Sequence, residues 1–282
     1  MPCLRILSIS AQPFKEQFNL TFKDKTVWIT GASSGIGEAL TRQLAAQGAD
    51  LIISSRRKET LETLKSKCTG AKNVLVVPLD LEDDSTIQAA ADEVLSKTSK
   101  LDYMFHNGGI SQRSLTQETK LEVDHRLMQI NYFGAVSLTK RILPLYIKQG
   151  FGHFVVTSTI SGVFGFPLRS AYAASKHALH GYFDSLRAEH RENNIDVTIV
   201  CPGRIRTNIS LNALGTDGKA TGKLDDAQNS GMPAEKCASI MLKAVGKKKK
   251  EIYIGGKEIL MVYFKRFIPL VYYKLAATVK RD

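Results

Sequence analysis

The sequence predicts one α/β domain, a doubly wound parallel sheet of seven strands, followed by an amphipathic helical tail. Three observations point there. Short apolar runs alternate with longer amphipathic segments from about Thr26 to Gly256. The short runs are apolar throughout, as strands covered on both faces are, rather than alternating like half-solvated ones. No repeat and no interdomain linker divides the 282 residues, a length that suits one large domain or two small ones.

The elements follow in order. Thr26–Thr30 reads as a strand and Ile36–Gln47 as a helix. Leu51–Ser54 is a strand, and Lys58–Lys67 a helix with Leu61 and Leu64 on one face. Val74–Leu79, Leu101–His106, Phe154–Ser158, Val197–Cys201 and Glu251–Ile254 supply five further strands. Helices are expected at Thr86–Leu95, Ala171–Arg191 and Pro233–Val245, the last with its proline in the first turn. A long helical region over Leu121–Lys148 is expected to break at Pro144. Parallel strands joined by right-handed helical crossovers give the doubly wound sheet. Asn208–Met232 is a long polar stretch beyond a strand end, where such sheets bind ligands.

Bulk properties exclude several classes. The composition is ordinary for a globular chain, with 43% hydrophobic and 23% charged residues. No apolar run approaches the ~20 residues that span a bilayer. Met1–Ala11 lacks a convincing cleavage site and reads as part of a short extension over residues 1–22. Cys3, Cys68, Cys201 and Cys237 are far apart, so reduced thiols and a cytoplasmic location are expected. The six histidines (106, 125, 153, 177, 180, 190) form no ligand cluster along the chain, and no metal is expected. The net charge of +12 is uneven: from Lys247 onward ten basic residues face three acidic ones, more than half of the excess. A local cause fits this better than a nucleic-acid surface.

The first strand runs into Gly31-Ala32-Ser33-Ser34-Gly35-Ile36-Gly37 and then a helix. Glycines here let the backbone approach a pyrophosphate, and the helix start offers free N–H groups and its positive dipole end. The second strand ends Ser54-Ser55-Arg56-Arg57, with no acidic residue to bond the ribose hydroxyls of NAD. Arginine suits a 2′-phosphate, so Ser55, Arg56 and Arg57 favour NADP(H); two solvated surface arginines are the bland alternative, which fits Arg57 better.

The turn Thr30-Gly31-x-x-x-Gly35-x-Gly37 resembles the signature of the short-chain dehydrogenase/reductase family, and further family elements follow in order. Asp80, with Leu81, ends the third strand where members place an adenine-side Asp. Asn107-Gly108-Gly109 resembles the N-A-G turn, with Gly108 in place of Ala. Asn131 falls at the position of the catalytic Asn, Tyr172-x-x-x-Lys176 is the Y-x-x-x-K element, and Pro202-Gly203 with Thr207 resembles the loop at the nicotinamide. The resemblance covers about residues 23–256, the expected catalytic domain. It implies a Rossmann-like fold, a homo-oligomer, and Lys176 bonding the nicotinamide ribose while Asn131 holds a water.

Tyr172 and Lys176 lie four apart and share a helix face. A nearby ammonium lowers a phenol's pKa from ~10, so Tyr172 is expected to exchange a proton with a carbonyl or alcohol oxygen. The family's Ser thirteen residues before the Tyr is Thr159 here; Thr159 is the preferred polarising hydroxyl, with Ser158 in reserve.

Residues 257–282 form a basic amphipathic tail, divided by Pro269 into two short helical pieces. Aromatic and apolar residues mixed with Lys and Arg suit an anionic membrane interface, and equally a tail docked on its own domain or a second subunit. Thr207-Asn208-Ile209-Ser210 and Gly246-Lys247-Lys248-Lys249-Lys250 resemble the hydroxysteroid dehydrogenase-like branch, whose members tend to be membrane-associated; no N-terminal membrane helix is expected here. The expected activity is NADP(H)-dependent interconversion of a carbonyl and a secondary alcohol on an apolar small molecule. Reduction of a polarised C=C bond, and a cofactor-sensing or membrane scaffold role with weak chemistry, are the alternatives.

Overall fold

The computed structural model of the chain describes residues 22–224 and 229–278. The expected extension over residues 1–22, with Cys3, lies almost wholly outside the described residues.

Seven parallel strands form the central sheet in the order β3-β2-β1-β4-β5-β6-β9. They are β1 (Thr26–Thr30), β2 (Asp50–Ser54), β3 (Asn73–Val76), β4 (Tyr103–His106), β5 (Gly152–Thr157), β6 (Ile195–Pro202) and β9 (Glu251–Ile254). All adjacent pairs run parallel, β1 setting Val27 beside Leu51 of β2 and Tyr103 of β4. On β1, Val27 and Ile29 face one layer and Trp28 the other, as a two-residue period requires. The first layer is α1 (Gly35–Ala46), α2 (Lys58–Lys65) and α7 (Ala234–Gly246), packing Leu40, Leu61 and Met241 on the sheet. The second is α3 (Asp84–Lys97), α5 (Gly134–Gln149) and α6 (Ser170–Glu189), which bring Ile87, Leu138 and Phe183. The all-apolar strands thus have a helical layer on each face, the reason they lack alternation.

Three expectations change. The Val74–Leu79 strand stops at Val76, because Val77 and Leu79 leave the ladder while keeping single bonds to β2 and the residue after it. The break in the long helical region lies at a π-helical turn, Gln129–Phe133, between α4 (Leu121–Met128) and α5, and Pro144 sits inside α5. Pro144 and Lys140 both face solvent, so water can satisfy the carbonyl that proline leaves without a donor. Pro233 is the N-cap of α7 rather than a first-turn residue.

The loop after β6 is tied down at several points. Two-residue strands β7 (Ile205–Arg206) and β8 (Met232–Pro233) pair in parallel. Leu214 donates its N–H to Ser111 O at 2.8 Å and accepts from Arg113 N at 2.8 Å, which draws the loop over the carboxyl end of the sheet. The tail forms α8 (Leu260–Phe267) and α9 (Pro269–Ala277), with Pro269 opening the second helix as expected. Val262 and Tyr272 are buried against Phe164, and the Tyr272 hydroxyl donates to Gly165 O. One face of the tail therefore docks on its own domain. No described helix is long and apolar enough to cross a membrane.

Candidate active site

β1 leads through α1 to β2 on one side, whereas its other neighbour is β4. This reversal is the switch point at which doubly wound sheets open a crevice beyond their strand ends. The cleft there encloses about 1460 Å³. Two glycines set its floor. Gly31 has φ +66°, and a Cβ on it would lie 2.7 Å from Gly108 Cα; a Cβ on Gly37 would meet Gly31 O at 2.1 Å. The start of α1, the turn after β1 and the turn after β4 thus pack backbone to backbone. Thr30 Oγ1 holds the arrangement by accepting from Asn107 N and Gly108 N, each at 3.2 Å.

Nearly all the expected cofactor residues line this one cleft: Gly31, Ser33, Ser34, Gly35, Ile36, Ser55, Arg56, Arg57, Asp80, Leu81, Asn107, Gly108, Tyr172, Lys176, Pro202, Gly203 and Thr207. Gly37 does not. It lies beneath the turn, where its missing side chain permits the packing rather than a contact with a ligand. Ser34 is the N-cap of α1 yet makes no side-chain cap bond, which leaves its exposed hydroxyl and the helix N–H groups facing the cleft. Ser55 Oγ is buried without a hydrogen-bond partner, and no described acidic side chain pairs with Arg56 or Arg57. An orphaned hydroxyl beside two uncommitted guanidinium groups fits the adenosine ribose end of a dinucleotide.

At the other end, Tyr172 and Lys176 project from α6. Lys176 is almost fully buried and donates from Nζ to Thr157 O at 2.8 Å. Burial draws its ammonium down to about 8. Burial raises the Tyr172 phenol above its ordinary value, opposed by the charge of Arg169 and by the neighbouring Thr159 hydroxyl. This corrects the expectation that Lys176 dominates the phenol: desolvation wins, and the cation acting on Tyr172 is Arg169. Thr159 Oγ1 donates to Pro202 O at 3.1 Å. Ser158 turns its hydroxyl away, 2.9 Å from His180 Nε2, so it is badly placed for the reserve role.

Asn131, in the π-helical turn, is buried and does not line the cleft. Its side chain accepts from Ile110 N at 2.8 Å and donates to Ile110 O and to Ser175 Oγ, both at 3.0 Å. It therefore fixes the chain after β4 against α6, and the extra residue of the π turn aims it inward.

Two residues with no local sequence signal hold the site, Gln112 from outside the cleft and Glu258 on its wall. Gln112 is fully buried, and its Oε1 accepts from Ala171 N at 3.0 Å and Tyr172 N at 3.2 Å, capping the free start of α6 from another segment. Glu258, at the head of the tail, accepts from Arg204 N at 3.0 Å against the Pro202–Gly203 turn. Burial alone would raise the Glu258 carboxyl, but the N–H groups of Arg204, Gly256 and Glu258 hold it below the usual range. A Gln on a loop and a Glu in a helix carry no pattern until the fold brings them to these backbone groups.

A doubly wound sheet with a glycine-lined phosphate turn, a Tyr–Lys pair and a hydroxyl at one switch-point cleft defines a nucleotide-binding oxidoreductase. Residues 25–216 match the family described as short chain dehydrogenase, and the chain belongs to that family. It is 38% identical over 282 residues to mouse dehydrogenase/reductase SDR family member 7B, covering 98% of this chain and 87% of that one. With human dehydrogenase/reductase SDR family member 7 it shares 38% over 273 residues, covering 94% and 80%. A short-chain dehydrogenase from Streptomyces avermitilis has the same fold, at TM-score 0.77 and 26% identity over 90% of this chain and 96% of that one. So does one from Burkholderia cenocepacia in complex with NADP, at TM-score 0.76 and 20% identity over 92% of this chain and the whole of the other.

The Gln112 contacts give a direct test. Gln112→Ala leaves two buried N–H groups at the start of α6 without acceptors, and each orphaned donor costs about 1–3 kcal/mol. Chemical denaturation should show a loss of that order, and turnover should fall more than dinucleotide affinity.

Proposed function

We propose that the protein interconverts a carbonyl and a secondary alcohol, using NADP(H), on a largely apolar small molecule. The observation that carries this reading is the convergence of Tyr172, Thr159 and Lys176 on the same cleft as the glycine turn, with Lys176 anchored to Thr157 O. When bound, the dinucleotide donates or accepts the hydride.

The chain's own groups do the rest. The turn at Gly31–Gly35 and the start of α1 offer N–H groups to the pyrophosphate, and Arg56, aided by Arg57, meets the 2′-phosphate. The raised Tyr172 phenol is neutral at physiological pH, the form that gives a proton to a carbonyl oxygen during reduction. Thr159, on rotating its O–H from Pro202 O, donates to the same oxygen. Lys176, held by one N–H to Thr157 O, keeps its two other donors for the dinucleotide ribose and for replenishing charge near Tyr172.

An apolar substrate is supported by Ile160, Phe164, Phe166, Leu214, Met261 and Leu275 along the wall beyond Tyr172. The last two come from the tail, so the tail is part of the substrate wall. Its outer face exposes Phe267 (75%) and Leu270 (76%), with Ile268 and Tyr273 beside them. Lys265, Arg266 and Lys274 flank these, which supports peripheral contact of the tail with an anionic membrane. Leu121, Phe133 and Ile147 are exposed along α4, the π-helical turn and α5, which supports a homo-oligomer.

Four outcomes test this reading. Tyr172→Phe should bind NADPH normally but form no alcohol from a carbonyl panel that wild type reduces. In wild type the reduction rate should decline as pH rises past about 8, where Lys176 gives up its charge, and Lys176→Arg should move that decline upward. Arg56→Ala should lower the NADPH-over-NADH preference in kcat/KM roughly tenfold or more, the worth of ~1.5–3 kcal/mol for charge-assisted bonds. Phe267→Ser with Leu270→Ser should abolish co-sedimentation with phosphatidylserine-containing vesicles.

A further inference from the structure

One turn of α6 beyond Lys176, on the same helix face, three side chains converge from separate elements. They are His180 of α6, Cys201 of β6 and Glu251 of β9. One ligand atom from each lies within 4.8 Å of the others. Cys201 Sγ is 3.7 Å from His180 Nε2 and 3.9 Å from Glu251 Oε1, and His180 Nδ1 is 3.7 Å from Glu251 Oε1. The residues are 21 and 50 positions apart along the chain, a juxtaposition that histidine spacing alone does not reveal.

We propose that His180, Cys201 and Glu251 form a binding site for a thiophilic divalent cation, zinc by chemistry, which restrains the catalytic hydroxyl from behind. A thiolate, an imidazole and a carboxylate are a zinc-type donor set, and hard oxygen-seeking cations are poorly served by it. Zinc bonds of 2.0–2.3 Å at tetrahedral angles put ligand atoms roughly 3.3–3.5 Å apart. Taken through one nitrogen of His180, the three ligand atoms lie within 4.8 Å of one another, so binding draws them together by up to about 1 Å, which rotamer changes of His180 and of the half-exposed Glu251 must supply. The site has a path to solvent on the Glu251 side, while Cys201 is fully buried. Two neighbours complete the surroundings: the Tyr253 hydroxyl donates to Glu251 Oε1 at 2.7 Å, and Ser158 Oγ lies 2.9 Å from His180 Nε2. Ser158 or a water fills the fourth position.

Binding replaces the thiol proton of Cys201 with the cation, and the proton leaves to solvent. No oxidation is involved. The cation also takes Nε2 of His180 from Ser158, so the Ser158–His180 bond and the metal exclude one another. Both disturbances reach the reacting groups within one residue. Cys201 precedes Pro202, whose carbonyl holds Thr159 Oγ1, and Ser158 precedes Thr159 itself. His180 lies one turn beyond Lys176 on α6, and Ser158 Oγ also bonds Lys176 O at 3.4 Å. Occupancy should therefore lower turnover with little effect on dinucleotide affinity.

Cobalt(II) is the probe, because cobalt bound to a thiolate absorbs strongly in the near ultraviolet and visible. Titration of the full chain should develop that absorption with one equivalent, and zinc should erase it. Cys201→Ala should abolish the absorption, whereas Cys237→Ala, which removes another buried thiol, should keep it. Glu251→Gln alters a half-exposed residue and should fold normally, while weakening cobalt binding roughly tenfold or more, as loss of a ligand does. Equimolar zinc should depress wild-type turnover and spare Glu251→Gln. Absence of a thiolate–cobalt band at saturation, or a band that survives Cys201→Ala, would overturn the proposal. Neither result touches the assignment of Tyr172, which the Tyr172→Phe comparison tests by itself.

Discussion

The close approach of two backbones, Gly31 on Gly108, is the constraint on which the rest of this molecule depends. It sets the turn after β1 against the turn after β4 at the one place where the strand order reverses. Any side chain at Gly31 would meet main-chain atoms that have no freedom to move, and its left-handed φ adds a second cost. Given that contact, α1 begins with its free N–H groups facing the crevice, and β2 ends with Ser55 and Arg56 on its rim. The same contact places Asn107 and Gly109 where the chain turns toward Asn131 and α6. The phosphate end and the chemical end of the cleft are thus two consequences of one packing event.

The chemical end is governed by burial more than by charge pairing. Both Tyr172 and Lys176 are buried, and desolvation pushes each toward its neutral form: the phenol up, the ammonium down to about 8. A neutral phenol and a marginally charged amine suit proton donation in the reducing direction. Polar support comes through hydrogen bonds instead: the amine donates to Thr157 O, and Thr159 Oγ1, beside the phenol, is held by Pro202 O. The start of α6 is likewise satisfied from a distance, by Gln112. Such a site is stiff, because each functional group answers to a second element of the fold.

Most of the frame was legible in the sequence. All seven strands were readable as apolar runs, and the glycine turn, the second-strand arginines and the Tyr–Lys spacing pointed to one crevice, since each signal is local. What could not be read was long-range. The π-helical turn at Asn131 follows from its contacts with Ile110 and Ser175, not from any local pattern, and Pro144 misled because exposure relieved its usual penalty. Gln112 and Glu258 have ordinary local contexts and gain their roles from backbone groups far along the chain. The cluster of His180, Cys201 and Glu251 is likewise invisible until α6, β6 and β9 are side by side. Thr159 over Ser158 was preferred by spacing, and the reason, the pull of His180 on the Ser158 hydroxyl, is tertiary.

The account stands or falls on where a dinucleotide lies relative to these groups. A crystal structure of the chain grown with NADPH tests it most directly. The phosphates should lie on the turn between Gly31 and Gly35, with the 2′-phosphate against Arg56 and the nicotinamide face open to the hydroxyls of Tyr172 and Thr159. Density for the dinucleotide elsewhere, or a nicotinamide from which both hydroxyls are turned away, would contradict it.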